Sequence, residues 1–239
     1  MNEEVRIYLH HIKTVCPELP EDQLLIFSEK LTVTMLNKND VYIAAGHIQQ
    51  HGGFLVKGLL RAFHTDDLGN EKNIYFIPEG EYAFHYASFM DNIPSPLTFQ
   101  CLERSAIVNF TADHLQNMYN EIPEFQKYGR MIVEAKLKIQ QQRLESFLFQ
   151  NAEQRYVDFI SQYPQLFNRI SISQLCSYLG VERQTLTRIR NKLSKSTKFE
   201  SDHLSFFQNK IKKRYNRYYI KNTDSIDPFH IIGKMQFKI

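Results

Sequence analysis

Ile170-Ser-Ile-Ser-Gln-Leu-Cys-Ser-Tyr-Leu-Gly180-Val-Glu-Arg-Gln-Thr-Leu-Thr-Arg-Ile-Arg-Asn-Lys-Leu193 reads as two short helices around one glycine. Ser171 followed three residues later by Gln174 is the signature of a capping box at a helix start. Leu175 and Leu179, with the small Cys176 beside them, make an inner face. Gly180 permits a tight turn. A second helix then begins near Glu182 or Arg183, with Leu186, Ile189 and Leu193 turned inward at steps of three and four. Arg183, Gln184, Thr187, Arg188 and Arg190 are left on the outside. This arrangement predicts a helix-turn-helix, whose second helix enters the major groove of double-stranded DNA. Arg can bridge guanine O6 and N7, and Gln can pair with adenine N6 and N7. The plainer alternative is a helical hairpin with a solvated basic face.

Upstream, residues 124–151 contain one glycine and no proline, and are rich in Glu, Lys, Gln, Leu and Ile. Met131, Ile132, Ala135, Ile139 and Gln142 fall mostly at steps of three and four. A helix of roughly 28 residues would be about 40 Å long, which exceeds what one small sheet domain can cover and predicts a dimer seam. Between it and the two-helix stretch, Tyr156, Val157, Phe159 and Ile160 belong to another helix that ends at Tyr163-Pro164.

The first half has a different texture. Helices are expected at 3–14, with Val5, Leu9 and Ile12 apolar, and at 21–29. Short runs rich in β-branched and aromatic residues follow at 31–35, 41–45, 54–63, 73–77, 97–102 and 106–110. Turn signals separate them: 37–40, Gly46, Gly52-Gly53, 66–70 and 78–80. Such spacing predicts an antiparallel roll, barrel or sandwich. Thr111 then opens a helix as its N-cap.

The order of parts resembles the Crp/Fnr family of bacterial transcription regulators over about residues 5–193. The closest local likeness is Arg183-Gln-Thr-Leu-Thr-Arg188, which is similar to the family's Arg-Glu-Thr-Val-x-Arg recognition helix. The resemblance implies an α+β chain: an N-terminal antiparallel β-roll of cyclic-nucleotide-binding type with its helices (1–113), a long dimerisation helix region (114–151), and a C-terminal helix-turn-helix domain (152–194). It further implies a homodimer on a two-fold symmetric DNA site, with Arg183, Gln184 and Arg188 facing bases. Ser171, Thr185, Thr187 and Arg190 are assigned to the DNA backbone. Gln184 stands where the family often has Glu, which shifts the expected base preference from cytosine toward adenine.

The family's cyclic AMP cassette resembles Gly-Glu-Leu followed about ten residues later by Arg-Ser-Ala. Here, aligned on Gly80-Glu-Tyr82, Phe84 and His85 replace the Gly-Glu pair, and Ser95 falls where Arg-Ser belongs. Arg104-Ser-Ala106 comes about nine residues too late, and Gln140-Gln141 replaces the base-contacting hydroxyl pair. Tight cyclic AMP binding is therefore not expected. Phe84, His85, Ser95, Gln140 and Gln141 could line a pocket for an unidentified small-molecule effector. The favoured reading is a ligand-free roll filled by its own aromatics.

The 239 residues (28.3 kDa) have 43% hydrophobic and 23% charged side chains, an ordinary globular composition. Three scattered cysteines, Cys16, Cys101 and Cys176, argue against a disulfide framework or an iron–sulfur set. The N-terminus has no apolar signal segment and no run is long enough for a membrane span, so a cytoplasmic protein without a membrane partner is expected. No catalytic constellation or phosphate loop is evident, so the chain is not read as an enzyme. The pairs His10-His11 and His47/His51 lack a third ligand, so neither a metal site nor a cofactor is expected. Net charge is uneven: residues 195–239 carry ten Lys+Arg against four Asp+Glu, while the rest carries 19 against 22. This basic tail, with tyrosines interleaved at 210–221, departs from the family's β-hairpin wing. It reads as a nucleic-acid arm, as a poorly specified tail or as a read-through terminus. The alternative function is an effector-binding β-roll protein whose helix-turn-helix makes protein–protein contacts.

Overall fold

The computed structural model describes residues 1–197, with side chains through Ser194. The readings of the tail at 195–239 lie outside the described side chains. The chain divides into two compact units, Met1–Gln140 and Gln141 onward.

The first unit opens with α1 (Glu3–Val15) and α2 (Glu21–Ser28). Eight strands follow: β1 (Thr32–Leu36), β2 (Val41–Ile43), β3 (His51–Lys57), β4 (Leu60–Thr65), β5 (Glu71–Ile77), β6 (Tyr82–Ala83), β7 (Thr98–Cys101) and β8 (Ser105–Thr111). Helix α3 (Tyr86–Asp91) sits between β6 and β7. Helices α4 (Ala112–Glu121) and α5 (Pro123–Phe149) come after β8. The strands form two antiparallel sheets, in the orders β1-β8-β3-β6 and β2-β7-β4-β5. The fold is α+β with an antiparallel β core, as the sequence predicts.

Strand β8 shows how the layers are made. Ile107 joins Leu55, Leu60, Ala62 and Phe99 in a core shared by the two sheets. Its neighbours Val108 and Phe110 point the other way, into a second core with Tyr8, Ile12, Phe27 and Phe125 from the helices. A strand covered on both faces must be apolar at successive positions, and Ala106-Ile-Val108 is. Its buried Asn109 is satisfied by Tyr42 Oη, which donates at 2.8 Å, and by donation to Thr34 Oγ1 at 2.8 Å.

Two details correct the sequence reading. Gly52-Gly53 is not a turn; both residues lie inside β3. A Cβ on Gly52 would stand 2.5 Å from the Phe110 ring, and one on Gly53 2.5 Å from Tyr42 Oη. The glycines are needed for close approach inside a strand. The run 54–63 is not one strand. It breaks at Gly58, which takes φ +102°, and β4 turns back from Leu60.

The second unit holds the end of α5, then α6 (Ala152–Gln162), a 3-10 turn (Pro164–Leu166), α7 (Ile172–Leu179) and α8 (Arg183–Thr197). Asn151 caps α6 through a reciprocal box with Gln154.

One buried group gives the first unit a pH dependence. His11 is 7% exposed, its ring lies 4.7 Å from that of Phe54, and its Nε2 has no partner among the described residues. Burial pushes its pKa down to about 4, against an upward pull from Glu81. The folded form therefore holds a neutral His11 where the unfolded chain binds a proton. Its contribution is complete above about pH 6.5 and is lost as pH falls toward 4, amounting to about 3 kcal/mol at most. Urea midpoints of the wild type should fall over that window, and those of His11→Leu should fall less. Parallel pH profiles for the two proteins would contradict this.

Candidate nucleic-acid interface

Helix α7 starts where sequence chemistry says it should. Ser171 Oγ accepts from Gln174 N at 3.2 Å, and Gln174 Oε1 accepts from Ser171 N at 2.8 Å. The helix ends at Gly180, which takes φ +64° and ψ +43°, the left-handed geometry that glycine adopts without Cβ strain. Leu175, Cys176 and Leu179 are buried beneath it.

Helix α8 separates two edges. Leu186 and Ile189 are 1% and 7% exposed and anchor the inner edge. Arg183, Gln184, Thr187 and Arg188 are exposed, at spacings of one, four and five residues, so they share the outer edge. Thr185 is half-buried at the margin and accepts from Arg188 Nη2 at 3.5 Å. Thr187 Oγ1 donates back to Arg183 O at 3.0 Å. The side chains of Arg183 and Gln184 make no hydrogen bond among the described residues. No acidic residue occupies the first turn of α8. The outer edge is thus cationic and polar, with Thr187 and Arg188 bonded only within α8 itself.

Ser171 and Arg190 are placed differently from the other predicted contacts. The Ser171 hydroxyl is engaged in its cap. Arg190 does not stand on the outer edge as expected: its Nε donates to Tyr156 Oη at 3.0 Å, and its guanidinium lies 5.2 Å from the Phe167 ring. The reason is periodicity. Position 190 is one turn on from Leu186 and follows Ile189, so it continues the inner stripe. Lys192 ties the same side of α8 to α6 through Glu153, at 2.6 Å.

Within the first unit, Phe84 and His85 lie together at the start of α3. Phe84 is half-buried, with its ring 5.8 Å from Phe89 and 6.2 Å from Tyr82. His85 is the N-cap: its Nδ1 accepts from Ser88 N at 3.2 Å, while its own N–H donates to Gln49 Oε1 at 2.8 Å. Gln49, which no local pattern marks, is buried and also donates to His51 O and Ala83 O. Ser95 is buried, and its hydroxyl both donates to Leu97 O and accepts from Leu97 N. Gln140 and Gln141 are exposed on α5, and Gln141 donates to Glu145 at 2.9 Å. The polar groups around α3 are therefore already paired with one another. Among the described residues, no group of three His, Cys, Asp or Glu could hold a metal ion, and no helix is long and apolar enough to cross a membrane.

Residues 33–121 match the family of cyclic nucleotide-binding domains. No curated protein sequence matches the chain. Among solved structures, FixK2 from Bradyrhizobium japonicum is similar at a TM-score of 0.61 with 13% identity, covering 70% of this chain and 85% of that one. The regulator CLP from Xanthomonas campestris, described as responsive to c-di-GMP, has a TM-score of 0.61 and 12% identity, covering 74% of this chain and 93% of that one. A candidate transcriptional regulator of the Crp/Fnr family from Eubacterium rectale has a TM-score of 0.62 and 15% identity, covering 81% and 96%. At these identities the likeness establishes the fold.

A cyclic phosphate requires free backbone donors and a cation. Here the His85 and Ser88 amides are engaged, so calorimetric titration with cyclic AMP should give no binding in the micromolar range. A micromolar Kd would overturn this reading.

Proposed function

We propose that this chain is a dimeric, sequence-specific DNA-binding transcription regulator of Crp/Fnr type that does not bind cyclic AMP tightly. In this reading 1–113 is an effector-domain-like roll, 114–151 the dimerisation region and 152–194 the helix-turn-helix domain. The observation that carries it is the division of α8 into an inner edge held by Leu186 and Ile189 and an outer edge of Arg183, Gln184, Thr187 and Arg188. Arg183, Gln184 and Arg188 read base edges. Thr185 and Thr187, with their short hydroxyls, serve the phosphates. Arg190 contributes by anchoring α8, since its guanidinium is engaged with Tyr156 and Phe167.

Selection from random duplex DNA at near-physiological salt, with no added ligand, tests the reading. The wild type should enrich a palindrome. Each bidentate Arg contact is worth about 1–3 kcal/mol, so Arg183→Ala with Arg188→Ala should lose at least about tenfold in specific affinity. Absence of enrichment by the wild type, or enrichment that survives both substitutions, would sink it. In the latter case the two helices serve a protein partner.

The homodimer rests on a separate feature. Val133, Leu137, Leu144 and Leu148 recur along α5 at steps of four, seven and four, and the three leucines are 62%, 61% and 66% exposed. This is the stripe a two-stranded helical seam buries. Leu137→Glu with Leu144→Glu should convert the dimer to a monomer in sedimentation velocity. An unchanged dimer would place the seam elsewhere.

A further inference from the structure

The end of α7 is finished by residues distant in sequence. Its last four carbonyls need hydrogen-bond donors once the helix stops. Two are supplied locally in a Schellman pattern: Val181 N donates to Cys176 O at 3.1 Å and Gly180 N to Ser177 O at 3.3 Å. The other two are taken by arginines. Arg143 Nη2, on the C-terminal part of α5, donates to Tyr178 O at 2.9 Å. Arg155 Nε, on α6, donates to Leu179 O at 3.0 Å, while its Nη1 donates to Gln150 O at 2.8 Å.

Packing reinforces the hydrogen bonds. The Arg143 guanidinium lies 3.6 Å from the Tyr178 ring centroid and 5.0 Å from that of Phe147. Arg155 lies 5.2 Å from the same Phe147 ring. A Cβ on Gly180 would meet Phe147 at 2.9 Å. Two cations at a helix C-terminus also complement the helix dipole. Phe147, Arg143 and Arg155 thus enclose the three residues Tyr178–Gly180 from which the chain departs toward α8.

We propose that Arg143 and Arg155 are positioning residues that fix the turn between α7 and α8, and with it the direction in which α8 presents Arg183, Gln184 and Arg188. The inference deepens the DNA-binding reading and rests on it for its functional meaning. The clamp itself is a property of the protein alone.

Hydrogen exchange on the 239-residue chain separates clamp from scaffold. In Arg143→Met and Arg155→Met, the Gly180 and Val181 amides should exchange about tenfold faster, the loss of one charged hydrogen bond. The amides of Leu175 and Leu186 should keep their wild-type protection. Arg143→Lys, which can still donate to Tyr178 O but lacks the planar stack, should fall between. On DNA, the same variants should lose about tenfold in specific affinity with an unchanged salt slope for non-specific binding. Unchanged exchange at Gly180 and Val181, or a uniform rise across α6–α8, would overturn the proposal. Should the wild type select no duplex, the DNA reading falls, and the exchange pattern still decides the clamp.

Discussion

Double burial of β8 is the constraint on which the first unit depends. One face of the strand meets the opposite sheet through Ile107, and the other meets the helical layer through Val108 and Phe110. Each face fixes a different neighbour. Laterally the strand pairs with β1 and β3. The outer face gives α1, α4 and the start of α5 a surface to cover. Aromatic rings dominate that second layer, with Tyr8 stacked 4.6 Å from Phe54 and Phe27 stacked 4.9 Å from His114. The two glycines of β3 follow from the same crowding, because the rings of Phe110 and Tyr42 leave no room for a Cβ.

The second unit is organised differently. Beside its buried Leu166, Leu175, Leu179, Leu186 and Ile189, arginines lie over aromatic rings. Arg143 covers Tyr178, Arg155 approaches Phe147, and Arg190 approaches Phe167. Each guanidinium also donates a hydrogen bond. One side chain thereby satisfies a polar group and fills apolar space together, a combination lysine does not offer. The exposed cations of α8 are a separate population, turned away from these rings.

The architecture was legible where a residue type has one dominant physical use. The capping pair Ser171/Gln174, the left-handed Gly180, the Thr111 cap and the alternation of short apolar runs all identified their elements. Reading failed where one residue type has two uses. Gly52-Gly53 carries the composition of a turn but serves close packing. The run 54–63 conceals its break because Leu59 and Leu60 are as apolar as any strand. Helix α3 was invisible, since six residues are too few to show a period. Arg190 was misplaced by its charge, although its spacing from Leu186 and Ile189 put it on the inner stripe. Gln49, Arg143 and Arg155 act across 36, 35 and 24 residues on His85, Tyr178 and Leu179. No local pattern in one sequence encodes such distances.

The anchoring of α8 has a thermodynamic consequence for whatever meets its outer edge. Lys192 is tied to Glu153 and Arg190 to Tyr156, so contacts within the protein itself hold the helix. Association then has to immobilise side-chain rotamers of a few residues, at about 0.5–1.5 kcal/mol each, and no backbone. A partner meeting this face encounters a rigid template, and its recognition is decided by complementarity of shape and charge at four side chains with little entropy lost in folding.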